Sequence, residues 1–127
     1  MIPFEEFSAI VAEEVELLPD YACAGLNGGV VVHEEAKLHP NSLADDLYIL
    51  GIYHVDGHLG KQIVLYYGSF AASVFTDSRE IIRKRIRETV RHEIRHHLET
   101  EAGLYGTGTL VEEDWNSMVD YYRRHRQ

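Results

Sequence analysis

The sequence predicts an α+β domain: a small sheet containing a hairpin, packed against one long helix and flanked by helices near either end. Three features carry that expectation. Apolar residues recur at helical spacing near the start and again beyond residue 77. A β-branched and aromatic stretch doubles back around Asp56-Gly57. No repeat, low-complexity tract or Pro/Ser-rich linker divides the chain, so residues 1–127 are expected to form a single domain around one core.

The opening helix starts at Pro3, a favoured first helical residue. Phe4, Phe7, Val11, Val15 and Leu18 form its apolar stripe with acidic residues between them, and Pro19 ends it. Residues 21–46 read as irregular, apart from Val30-Val31-Val32, which suits a strand. Leu47 to Val55, a turn at Asp56-Gly57 and Gly60, and the return from Gln62 to Tyr67 make the hairpin. The long helix opens with Asp77 and, three residues on, Glu80, a capping-box-like pair. No Pro or Gly interrupts it before Ala102, and Gly103 stands where a helix-ending residue belongs. Beyond a glycine-containing loop, Trp115, Met118, Val119 and Tyr122 mark a last amphipathic helix.

Composition narrows the function. The chain is 45% apolar and 26% charged, which is globular rather than disordered. Twenty-one Asp and Glu against 12 Lys and Arg give a net charge of −9, so phosphate backbones and anionic lipid surfaces are repelled. Neither nucleic acid nor membrane is expected as a partner. The mostly apolar run from Ile63 to Phe75 is too short and too interrupted to span a bilayer. One cysteine, Cys23, forms no internal disulfide, and the start lacks a basic and apolar leader. A cytoplasmic protein is the expectation.

The chemistry concentrates on the long helix, in His92-Glu93-Ile94-Arg95-His96, an H-E-x-x-H pattern. Residues four apart share a helix face, so two imidazoles can converge on one ion at about 2.0–2.1 Å. The glutamate after the first histidine points into the same space, where it can take a proton from a metal-activated water. In a chain of this composition the bare pattern arises by chance roughly once in twenty. The helical wheel strengthens it. At about 100° per residue, Ile82, Ile86, Val90, Ile94 and Leu98 share a face that should be buried. Lys84, Arg87, Arg91 and Arg95 share one that should be solvated. His92, His96 and Glu99 share a third, with Glu93 at the border of the apolar face. His97 falls among the apolar residues and reads as a satisfied core histidine, and His33, His39, His54, His58 and His125 read as structural or solvent-exposed.

The stretch Arg91-His92-Glu93-Ile94-Arg95-His96-His97-Leu98-Glu99, with Leu50-Gly51-Ile52-Tyr53 and Gly60 to Phe70 upstream, resembles the minimal zincin-like bacterial metallopeptidase family. The resemblance implies a zincin-like fold, one zinc ion per chain, a peptide or protein substrate, His92 and His96 as metal ligands and Glu93 as the catalytic acid/base. It also implies that the strand from Ile63 to Phe70 lies beside the metal helix as an edge that pairs with an extended substrate. One common form of the family extends the pattern to H-E-x-x-H-x-x-G-x-x-D; here Glu99 stands at the Gly position and Ala102 at the Asp position. The third ligand is therefore open between Glu99, which can equally act as a carboxylate orienting His96, the downstream Glu112-Glu113-Asp114 cluster, and water or another residue. Zinc-dependent peptide hydrolysis is the leading expectation. A zincin-fold module that holds metal without turnover, and a metal-free interaction domain, stand as its alternatives.

Overall fold

The computed structural model describes residues 1–58 and 60–103. The last helix expected around Trp115 to Tyr122, and the carboxylates Glu112, Glu113 and Asp114, lie outside them. The order of elements is α1 (Phe4–Glu16), α2 (Asp20–Cys23), β1 (Gly29–His33), β2 (Gly51–Asp56), β3 (Gly60–Tyr66), α3 (Tyr67–Ser73) and α4 (Arg79–Glu101). This is the expected α+β layout, with the hairpin formed by β2 and β3.

The strand order is β1-β3-β2. β3 runs parallel to β1, with Gly29 opposite Gln62 and His33 opposite Tyr66, and antiparallel to β2, with Gly51 opposite Leu65. This corrects one expectation: β3 is the central strand, and the edge beside the long helix is β2. Ile63 to Tyr66 are buried on both faces because an apolar cluster packs on each side of the sheet. The strand also stops at Tyr66. Tyr67 opens α3, so the two tyrosines do not alternate across a strand; Tyr66 is buried, while the Tyr67 hydroxyl donates to the Ile2 carbonyl at 2.6 Å.

The main core lies on one face of the sheet. Ile63 and Leu65 meet Phe7, Ile10 and Val11 of α1, Phe70 of α3, and Ile82, Ile86, Val90 and Ile94 of α4. Phe7 sits edge-on to both Tyr67 and Phe70, at ring separations of 5.2 and 4.9 Å. On the other face Val64 and Tyr66 pack with Ile49, Val31 and Ile52. The α4 stripe matches the wheel except at Leu98, which is exposed.

Several boundaries shift for physical reasons. Pro3 precedes the helix with extended backbone (ψ 156°) rather than occupying its first turn. Pro19 likewise caps a short helix, α2, within the region read as irregular. The cap of α4 is Ser78, whose hydroxyl accepts from the Ile81 amide at 3.4 Å; Asp77 pairs instead with the amino terminus of Met1. Gly103 follows the helix with φ +78°, the left-handed position that glycine adopts without a Cβ penalty.

The basic face of α4 is not simply solvated. Arg83 and Arg87 grip Glu14, which is 4% exposed on α1: Arg87 Nε lies 2.5 Å and Arg83 Nη1 3.1 Å from its two oxygens. These hydrogen bonds, Arg87's above all, hold the Glu14 carboxyl below the usual glutamate range against the opposing effect of burial. The two helices are thus joined by charge as well as by apolar contact. Among the described residues no helix is long and apolar enough to cross a membrane.

Candidate metal centre

The middle of α4 leaves the sheet's shelter on one side, and there the H-E-x-x-H residues gather. His92 and His96, one turn apart, bring their Nε2 atoms to 3.2 Å with ring planes perpendicular and centroids 4.7 Å apart. One ligand atom each from His92, Glu93 and His96 all lie within 4.8 Å of one another. His96 is 2% exposed and Glu93 7%, whereas His92 reaches solvent. The pair therefore has a protein side and a water side.

The distances fit a divalent ion. Two nitrogens 3.2 Å apart, each about 2.0–2.1 Å from a shared ion, subtend about 100° at it, near the tetrahedral angle. Two imidazoles and carboxylate oxygens also form the donor set that suits zinc. The same 3.2 Å in metal-free protein is a hydrogen bond in which one ring's Nε2–H donates to the other ring's lone pair.

Glu99 faces the opposite side of His96. Its Oε2 lies 3.6 Å from His96 Nδ1, the ring nitrogen turned away from His92, and its Oε1 accepts from Arg95 Nε at 3.0 Å. A carboxylate at the rear nitrogen biases the ring to present bare Nε2 to the front. At 3.6 Å this is a charge contact rather than a hydrogen bond, and it is compatible with the orienting role of the two open to Glu99. His97 is fully buried: Nε2 donates to the Ala24 carbonyl at 2.7 Å, so in the neutral ring Nδ1 accepts from the Tyr53 hydroxyl at 2.9 Å. It ties α4 to β2 and to the end of α2. This is the satisfied core histidine expected at that position. His39 is likewise buried in the loop before β2, where its Nδ1 accepts from the Asn41 amide at 2.9 Å; burial pushes its pKa down.

Beside the histidines runs a cleft of about 360 Å³. Residues 46–51, leading into β2, form one wall; Arg85, Thr89, His92 and Glu93 form the other, with Ser73 also lining it. The two walls come close together at Gly51. A Cβ there would stand 3.0 Å from Thr89 Cγ2, 3.3 Å from the Val64 carbonyl oxygen and 3.7 Å from Glu93 Cγ. A side chain there would press on α4 and on β3, so the neighbours would have to give by a few tenths of an ångström to admit one. A glycine inside a strand pattern is the sequence signal for such an approach. Thr89 and Arg85, at successive four-residue steps before Glu93, are legible by running the motif's own helix row backwards.

The family model described as zincin-like metallopeptidase matches residues 27–104, which includes the sheet, the cleft wall and all of α4. The chain belongs to the zincin-like metallopeptidase family. A solved structure of a conserved hypothetical protein from Thermus thermophilus is similar to this zincin-like chain at 34% identity, with a TM-score of 0.68 over 80% of this chain and 98% of that one. No curated protein matches the chain. The family's members imply a bound metal, typically zinc, and the His-Glu-His cluster is where this chain has the donors for it.

Proposed function

We propose that this zincin-like protein is a zinc-dependent peptidase in which His92 and His96 hold the ion and Glu93 moves the proton. The single observation behind this reading is the His92-Glu93-His96 cluster set beside an open cleft walled by the edge of the sheet. When bound, the ion supplies Lewis acidity, polarising a carbonyl and lowering the pKa of water to roughly 7.

The chain's own residues supply the rest. Glu93 takes a proton from the attacking water and returns it to the leaving amine. Its shallow burial shields the carboxylate without closing its path to the cleft. Glu99, braced by Arg95, keeps His96 turned toward the site. The Tyr66 amide donates to the Leu50 carbonyl, so in β2 the residues of even number turn their main chain toward β3, and Gly51, Tyr53 and Val55 turn theirs outward. A peptide laid along that outer edge gains main-chain hydrogen bonds irrespective of its sequence.

Two measurements test the reading. Zinc content of the purified protein is expected near one ion per chain, and to fall far below that in His92→Ala and His96→Ala. Cleavage of a peptide library is expected to vanish in Glu93→Gln while zinc stays bound. Absence of zinc from the wild type overturns the metal site. Retained zinc with no cleavage leaves a metal-holding module without turnover, and undiminished cleavage in Glu93→Gln removes that residue from the chemistry.

A further inference from the structure

The cleft extends well beyond the His-Glu-His cluster. Arg85, Thr89 and Glu93 stand at four-residue intervals on α4 and all line it. Most of the opposite wall is apolar, through Leu47, Ile49 and Leu50. Among the described lining residues Arg85 is the sole lysine or arginine.

The neighbouring arginines of α4 are committed elsewhere. Arg83 and Arg87 turn to α1, where they hold the buried Glu14 at 2.5–3.1 Å. Arg85 pairs with Glu88 at 3.5 Å, with both side chains about half exposed (45% and 51%). An exposed pair of that length contributes little and is readily exchanged for a better acceptor. The guanidinium offers a planar fork of donors that matches a carboxylate in bidentate fashion. The chain's net charge of −9 gives such a group no general attraction, so its recognition must be local.

Spacing fixes the register. Arg85 precedes His92 and Glu93 by seven and eight residues, or about 11 Å of helix. Its side chain leans further toward the helix start. At about 3.3 Å per residue, an extended peptide covers that span in three to four residues.

We propose that Arg85 is a specificity-determining residue that binds a peptide carboxylate three to four residues from the scissile bond. The proposal rests on the peptidase reading above. The carboxylate belongs either to an Asp or Glu side chain or to the peptide's own C-terminus.

The test uses fluorescently labelled nonapeptides of neutral sequence. One set carries a single Glu, moved through each position, with an amidated C-terminus; the neutral parent is made as amide and as free acid. Binding to zinc-loaded Glu93→Gln protein is read by anisotropy, independently of turnover. At least a tenfold tighter Kd is expected for one Glu register or for the free acid, and the outcome says which source supplies the carboxylate. That difference should disappear in the Arg85→Ala, Glu93→Gln double variant. With Arg85→Glu in its place, preference should pass to the matching Lys peptide. Equal binding of acidic and neutral peptides, or an acidic preference that survives Arg85→Ala, overturns the proposal. Wild-type cleavage of the same peptides separates the two readings: cleavage without acidic preference removes Arg85 alone, and acidic binding without cleavage removes the peptidase alone.

Discussion

At Gly51 the sheet comes close to the metal helix, and replacing this glycine with alanine has a calculable effect. Its φ is not positive, so alanine fits the backbone, and losing glycine's freedom in the unfolded chain stabilises by about 0.4–1 kcal/mol. Opposing this, the new methyl stands 3.0 Å from Thr89 Cγ2 and 3.3 Å from the Val64 oxygen. Overpacking of one carbon against such neighbours costs about 1–3 kcal/mol. The net expectation is a loss of about 1 kcal/mol, or about 2–5 °C in Tm for a domain of this size. The closest contact can be removed separately. Thr89→Ser deletes Cγ2 and keeps the hydroxyl that donates to the Arg85 carbonyl at 2.8 Å. Thermal and urea unfolding of Gly51→Ala, Thr89→Ser and the double variant should therefore give a coupling of at least about 0.5 kcal/mol, with the methyl better tolerated beside serine. If Gly51→Ala costs the same in both backgrounds, or stabilises both, the close approach is not what fixes glycine there.

Two further outcomes follow from charges already described. Glu14 has a folded-state pKa below its ordinary value near 4.5, so its contribution is present above that pH and is lost as pH falls through the folded value. Glu14→Gln should destabilise by about 1–3 kcal/mol at pH 7 and give a shallower acid limb below pH 4.5 in urea midpoints; an unchanged acid limb refutes the assignment. At the metal centre, Glu99→Gln should weaken zinc about 10–100-fold, the effect of removing a carboxylate that orients a ligand. Complete loss of zinc, measured by competition with a chelating dye, would make Glu99 a ligand instead.

Much of this architecture is legible in the chain because the signals are local. The hairpin is written in Asp56-Gly57 between two β-rich runs, and α4 in an unbroken apolar row that ends at Gly103. The convergence of His92 and His96 follows from helix periodicity alone. What the sequence withholds are pairings between distant segments. Nothing near Ile63 says that Val30 lies against it, so the central position of β3 is hidden and β2's place at the edge with it. Arg87 reads as solvated until α1 brings Glu14, some 70 residues earlier, to meet it. Leu98 reads as core because the apolar period runs on to it, yet it is exposed, and the buried contact with β2 is made by its neighbour His97. Asp77 and Ser78 are both competent caps, and the choice falls to Ser78 because the chain's amino group takes Asp77.

The position of β3 also bears on how the molecule is made. β1 and β2 each pair with β3, so a growing chain that has reached only Asp56 carries two strands with no ladder between them. The Val30–Val32 run must wait for Ile63 to Leu65 to emerge, and the face they create must wait again for α4. Assembly is thus deferred until α4 has emerged, and the helix that completes the hydrophobic interior is the one that carries the histidines.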